Sequence, residues 1–306
     1  MFVLAHLSDP HLGPLPTPRW SDLIGKRATG FLNWQRKRHR IHRGEVLARI
    51  VADLKAQAPD QIAVTGDLVN ISLAGEYAPA RAWLAALGQP HQVTFVPGNH
   101  DVYVRGAISY PRTQWGDYMR GDDGTAPANG LGFPFLRRRG DVALIGLSTA
   151  VPTAAFLATG HLGAEQIAAL AAVLDECGHE RRFRVVLIHH PPTSTPARHL
   201  KRLVDGAAFR AALARHGAEL VLHGHDHVHS LIALDGPRGR IPVVGVPSAS
   251  GVASVAGKDD PAGYNLYRIE RAGDGWQCEV ISRGLVRGGD TVLETKRAML
   301  TDRRFS

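Results

Sequence analysis

Five short clusters of acidic, amide and imidazole residues lie before residue 230: Asp9-Pro-His11, Gly66-Asp67, Gly98-Asn99-His100-Asp101, His189-His190-Pro-Pro and His223-Gly-His225-Asp-His227. They offer carboxylate oxygens, one amide oxygen and several imidazole nitrogens, a mixture that suits borderline divalent cations such as Mn, Fe, Zn and Co. Neither cysteine joins them, which argues against a structural zinc site. Cys177 and Cys278 are too far apart for a CxxC pair and read as core thiols. More than four candidate ligands suggests two ions. One carboxylate can bridge such a pair at about 3.5–4 Å, the arrangement used for phosphoryl chemistry. In an extended segment, residues i and i+2 point the same way, so the D-x-H and H-x-H spacings would aim both side chains at one ion cluster.

Each cluster follows an apolar run that reads as a strand: Phe2-Val3-Leu4 with Leu7, Ile62–Val64, Val93–Val96, Val185–Ile188 and Leu220–Leu222. Between them, helical spacing covers 45–58, 76–87, 164–177 and 205–216, and Val142–Leu147 is a further strand. Past residue 240 the pattern turns to strands: Ile241–Val246, Tyr264–Ile269 and Trp276–Ile281. This is an α/β chain, and ligands bind beyond the C-terminal ends of strands in such sheets. No fixed-period repeat or long linker divides it, so residues 1–306 read as one domain. Turn-rich insertions fall at about 14–43 and 103–135.

The five ordered blocks resemble the calcineurin-like metallophosphoesterase family: D-x-H at Asp9 and His11, G-D at Gly66 and Asp67, G-N-H-[DE] at Gly98 to Asp101, the H-x-P histidine His189, and G-H-x-H at Gly224 to His227. The resemblance runs from residue 2 to about 230. It implies a four-layer α/β/β/α sandwich of two mixed sheets flanked by helices, with 241–281 supplying late strands of the second sheet. It further implies that Asp9, His11 and His227 hold one metal, that Asn99, His189 and His225 hold a second, and that Asp67 bridges. The cofactors would be two divalent ions, with Mn, Fe and Zn all open. His100 would sit over the substrate phosphate, with Asp101 orienting it. Asn70 stands where many relatives carry Asp after G-D-x-x, a departure bearing on local loop structure more than on ligation. The spacing to Pro191 selects His189 over His190, which becomes a neighbour. His223 and His229 are expected as hydrogen-bonded neighbours, in phase with the H-x-H pair if the segment is extended. His6, His161, His179, His199 and His216 read as ordinary surface or helix-end residues.

The activity this implies is metal-dependent phosphoester hydrolysis, a phosphodiester being favoured. Two cations would neutralise the ester and lower the pKa of a bridging water, whose hydroxide attacks phosphorus while His100 assists the leaving oxygen. Cyclic nucleotides, glycerophosphodiesters and nucleotide- or lipid-linked pyrophosphates are the substrate classes. The rivals are a non-catalytic scaffold of the same fold that binds a membrane or partner, and a single-strand nuclease. Degraded ligands would mark the scaffold, and here every ligand is in place.

The net charge of +8 is concentrated: residues 19–43 hold eight Lys or Arg against the single acid Asp22. Trp20, Leu23, Ile24, Phe31, Leu32 and Trp34 are interleaved with them. That mixture suits an anionic membrane surface, and less well a single-stranded nucleic acid. In the plain alternative, the apolar residues pack on the body and the arginines are solvated. The segment could also wall the active-site mouth. Arg137-Arg138-Arg139 is a smaller basic run. With 44% hydrophobic and 21% charged residues, wholesale disorder is excluded. No apolar run is long enough to span a bilayer and the N-terminus lacks a basic leader, so the expected location is cytoplasmic, peripheral at a membrane if the insertion meets lipid.

Overall fold

Short runs of Val, Ile, Leu and Phe, each cut off by Asp, Gly or Pro, become the strands of two six-stranded mixed sheets in the computed structural model, which describes residues 1–124, 132–252, 259–286 and 289–301. The parallel strands β1 (Phe2–Leu7), β2 (Gln61–Val64) and β3 (Val93–Phe95) begin the first sheet. The second contains β4 (Phe135–Arg139), β5 (Val142–Gly146), β6 (Phe183–Leu187), β7 (Leu220–His223), β8 (Ser230–Gly236) and β9 (Gly239–Gly245), in the order β4-β5-β6-β7-β9-β8. The chain then returns to the first sheet with β10 (Gly263–Ala272), β11 (Gly275–Leu285) and β12 (Val292–Met299), in the order β12-β11-β10-β1-β2-β3. The expectation that 241–281 all joins the second sheet is therefore corrected. Only β9 does so; β10 pairs antiparallel with β1, Leu4 opposite Tyr267, covering what would otherwise be an open edge.

Helices cover the outer faces. α1 (Lys26–Asn33) and α2 (His39–Ile41) lie in the first insertion, followed by α3 (Gly44–Ala56), α4 (Ala74–Leu87), α5 (Tyr110–Trp115), α6 (Ala164–His179) and α7 (Gly206–His216). Strand alternation sorts the apolar residues of the second sheet. Val142, Leu144, Val185, Leu187, Leu220 and Leu222 face the first sheet. Ile145, Val186, Val221 and Val243 turn the other way, under Leu170 and Leu174 of α6 and Phe209 and Leu213 of α7. On α3, Val46, Leu47, Ile50 and Leu54 are buried at helical spacing, each burial contributing roughly 1.5–3 kcal/mol. Both cysteines are buried and free, as expected of core thiols. No described helix is long and apolar enough to cross a membrane.

The first insertion is helical rather than turn-rich. A π-helical turn, Trp34–Arg38, continues α1. Phe31 packs with Ile71, Leu73 and Tyr103. The exit of the insertion is stitched to the body by Arg43 N–H donating to Ser250 O (3.0 Å) and Val252 N–H donating to Ile41 O (2.9 Å). Trp20 and Ile24 stay exposed, at 91% and 77%. Of the second insertion, residues 125–131 lie outside the described residues, and the part before them holds α5 and two short 3-10 turns.

The run Arg137-Arg138-Arg139 forms three of the five residues of β4, an edge strand whose apolar alternation the arginines mask. Arg137 is buried, and its guanidinium donates to the carbonyls of Pro90 (2.7 Å), Val93 (2.7 Å), Asp117 (2.9 Å) and Arg120 (2.8 Å). It thereby ties the second insertion and the β3 approach to the second sheet. Arg138 pairs with Glu180 at 3.1 Å, and Arg139 with Asp122 at 2.8 Å. Arg137→Met strands those carbonyls without donors and should lower the unfolding free energy by about 3 kcal/mol. Urea denaturation followed by fluorescence checks this; a loss indistinguishable from zero would contradict it.

Candidate metal centre

All five clusters arrive at one edge, because β1, β2, β3, β6 and β7 each deliver their C-terminal end there. The backbone leaves those strands by left-handed turns. Asp9 (φ 53°), His11 (φ 40°), Asp67 (φ 58°), His225 (φ 69°) and His227 (φ 57°) all lie at positive φ, a region that non-glycine residues seldom adopt and that often marks functional sites. The D-x-H and H-x-H pairs therefore converge through tight turns, not through extended alternation as the spacing suggested. The loops are zipped together: Asp9 N–H donates to Gly66 O (3.0 Å), His11 N–H to Asp67 O (3.1 Å) and Leu12 N–H to Leu68 O (2.8 Å). At Gly224 a Cβ would collide with Ser8 Oγ and Asp9 Oδ2. Only glycine lets the β7 loop come close enough for His225 N–H to donate to Asp9 Oδ2 (2.9 Å).

Two imidazole pairs flank one carboxylate. On one side His11 Nε2 and His227 Nε2 are 3.4 Å apart, and Asp9 Oδ1 lies 3.2 Å from His227 Nε2. On the other, His189 Nε2 faces His225 Nδ1 at 3.2 Å and Asn99 Oδ1 at 3.2 Å. Asp67 Oδ2 sits between, 3.8 Å from His11 Nε2 and 3.4 Å from His189 Nε2. Three of these rings spend their outer N–H on a carbonyl: His11 Nδ1 on Val69 O (3.2 Å), His189 Nδ1 on Thr65 O (2.6 Å) and His225 Nε2 on Lys201 O (3.1 Å). Their inner nitrogens therefore aim at one another, at carboxylates and at an amide oxygen, a convergence that needs a positive charge in its midst. Outer carbonyls of this kind are the usual support for imidazole ligands.

Electrostatics agree. Burial opposes a charge on His189, but Asp67 and Asp9 outweigh it and push the imidazole up to about 10. A divalent cation would satisfy the same field. Burial likewise opposes the Asp67 charge, yet His189 and His100 hold its carboxyl well below the usual range. The donor atoms of Asp9, His11 and His227, and those of Asp9, Asp67 and His189, lie close enough for each set to grip one ion. His190 also falls within reach, but its Nδ1 is taken by Thr149 Oγ1 (2.6 Å) and its Nε2 by Ala158 O (3.1 Å).

His100 stands over this group, its ring centroid 5.0 Å from that of His11. Its Nδ1 is against the Asn70 carbonyl, so Nε2 faces the site, and its ring stacks on Tyr103 at 5.2 Å. Burial, then Arg38, pull its imidazolium down to about 3. The expectation that Asp101 orients His100 directly is corrected. The Asp101 carboxylate accepts the backbone N–H groups of Asp67, Leu68 and Gly98 at 2.8 Å and Val69 at 3.2 Å, and so shapes the loop that carries Asp67. Asn70 uses its amide as a donor to Leu12 O (2.8 Å), a bond that Asp could not make.

Of the other histidines, His223 matches expectation and His6 does not. His223 is a hydrogen-bonded neighbour, on Gly224 O at 3.0 Å, whereas His6 is fully buried, on Thr65 Oγ1 at 2.9 Å, and not on the surface. Two site residues have no sequence signal of their own. His42 packs against His11, ring centroids 4.4 Å apart and planes tilted by 59°, and is held by Ser250 Oγ at 2.9 Å. Arg38 reaches His11 Nε2 (2.8 Å) and His100 Nε2 (2.9 Å). Both lie inside the basic run, where their neighbours hide them.

Comparisons with known proteins agree with this geometry. A dimetal phosphatase from Danio rerio superposes with a TM-score of 0.63 at 10% identity, covering 98% of each chain. A purple acid phosphatase from yellow lupin gives a TM-score of 0.56 at 12% identity, covering 92% of this chain and 51% of its own. At such identities the likeness shows the fold alone. No curated protein sequence matches the chain. The sequence profile described as Calcineurin-like phosphoesterase matches residues 2–229. That span takes in every loop of the centre, so the chain belongs to the calcineurin-like phosphoesterases, metal-dependent hydrolases of phosphoesters.

Proposed function

We propose that the protein is a dinuclear phosphodiesterase, with Asp9, His11 and His227 holding one divalent ion, Asn99, His189 and His225 a second, and Asp67 bridging. The observation that carries this reading is the set of inward lone pairs on either side of Asp67 Oδ2. When bound, such ions neutralise the ester and acidify a water. The chain's own groups do the rest. Asp101 holds the Asp67 turn rigid. The Asn70 carbonyl fixes His100 so that Nε2 meets the phosphate. An anionic phosphate beside Nε2 favours a proton there, for delivery to the leaving oxygen.

A diester needs room for two organic arms. An open cleft of about 820 Å³, lined by Gly13, Leu15, Trp34, Glu45 and His42, whose ring packs on His11, is the candidate space for one of them. Exposed Trp20, Ile24 and Leu32, beside exposed Arg36, Lys37 and Arg40, support a lipid-linked substrate at an anionic membrane. The buried Trp34 and the packed Phe31 show that only part of the insertion is available for this.

Protein stripped with chelator and reloaded with Mn²⁺ or Zn²⁺ should bind two ions per chain and hydrolyse an aryl phosphodiester faster than the monoester. A monoester preference would overturn the diester assignment; reloaded protein inactive on both would overturn the enzyme reading. His100→Ala should keep both ions while turnover falls roughly a hundredfold or more; unchanged turnover at saturating metal would remove His100 from the chemistry. Sedimentation with anionic liposomes should pull down the wild type, and Trp20→Glu with Leu32→Glu should release it. Recovery with anionic vesicles no greater than without vesicles would contradict membrane contact, and equal recovery with neutral vesicles would contradict the role of the basic residues.

A further inference from the structure

Of the four basic residues at 36, 37, 38 and 40, three point to solvent and one turns inward. The four residues belong to, or directly follow, the π-helical turn. Trp34 and Arg38, four residues apart, share its inner side, Trp34 buried against Gly13 and Arg38 over the metal centre. The insertion is fastened on both flanks of that turn. Lys26 Nζ donates to Thr153 Oγ1 (2.6 Å) and Leu157 O (3.0 Å), and Arg27 Nε to Ile71 O (3.1 Å), on one side. His42 on Ser250 Oγ secures the other.

The two ends of the Arg38 guanidinium reach different imidazoles. Nη2 lies 2.8 Å from His11 Nε2, and Nη1 lies 2.9 Å from His100 Nε2. Among the described residues no carboxylate is within ion-pair distance of it, although Asp9 and Asp67 are in the same site. An arginine kept for structure would be expected to seize one of them. Instead its fork spans the gap between the first-ion side and His100. Under the phosphodiesterase reading, on which this inference rests, the substrate phosphorus occupies that gap. There the His11 lone pair belongs to the ion, and Arg38 is left with donors facing the phosphate.

We infer that Arg38 binds the substrate, its two terminal nitrogens gripping two oxygens of the phosphate group. The planar guanidinium suits this task because its parallel N–H groups match two phosphate oxygens, as an ammonium cannot. The insertion would thus contribute directly to substrate affinity and not merely border the mouth.

The test uses Mn²⁺-loaded wild type, Arg38→Ala and Arg38→Lys, with inorganic phosphate as the probe. Isothermal titration with phosphate and the KM for an aryl phosphodiester are measured beside metal content. Arg38→Ala should weaken phosphate binding and raise KM by about tenfold or more while still holding two ions. Arg38→Lys should recover little of the loss. Phosphate affinity and KM within twofold of wild type would overturn the inference. So would a variant that loses its metal, since Arg38 would then be part of the cage. A wild type that neither binds two ions nor hydrolyses the diester would instead overturn the parent reading, and this one with it.

Discussion

Imidazole lone pairs held facing one another need a cation between them, and the rest of the molecule is arranged to keep them facing. Three carbonyls, of Val69, Thr65 and Lys201, occupy the outer N–H groups of His11, His189 and His225. Those bonds turn the second nitrogen of each ring inward, where the carboxylates already draw a proton to His189. The cost is electrostatic, and five residues at positive φ add backbone strain. A fold tolerates such a concentration only where the surroundings over-determine it. Here the surroundings are two packed sheets whose parallel strands end together.

The loops form a mutual brace more than five separate binding elements. Asp101 gathers four backbone N–H groups of the Asp67 and Gly98 turns. Asp9 turns one carboxylate oxygen toward His227 and accepts the His225 N–H with the other. Ser248 Oγ donates to Asp9 O (2.7 Å), linking the end of β9 to the end of β1. A disturbance in either sheet therefore reaches the centre through backbone hydrogen bonds as well as through side chains. The insertion adds a further layer, with Arg38 and His42 closing over His11 from outside.

The clusters were legible because each residue type in them does two things at once. Gly66, Gly98 and Gly224 permit the turn and the close approach, while Asp, Asn and His end the strand and supply the donor atom. The geometry behind the spacing was not legible. Asp9 with His11, and His225 with His227, suggest extended alternation, yet all four adopt left-handed turns. Pairing between distant strands also leaves no periodic trace, which is why β10 and β11 read from sequence as strands of the second sheet. Edge strands with polar faces, such as β12 (VLETKRAM), lack the apolar alternation that reveals a strand. Arg38 is the clearest case: in sequence it is one arginine among many, and only the face of the helical turn it occupies separates it from its solvated neighbours.

Anomalous diffraction from crystals of the Mn²⁺-loaded protein tests the central claim most directly. The account predicts two peaks about 3.5–4 Å apart, on either side of Asp67 Oδ2, one beside His11 and His227 and the other beside His189 and His225. A single peak away from Asp67, or none at saturating metal, would contradict it.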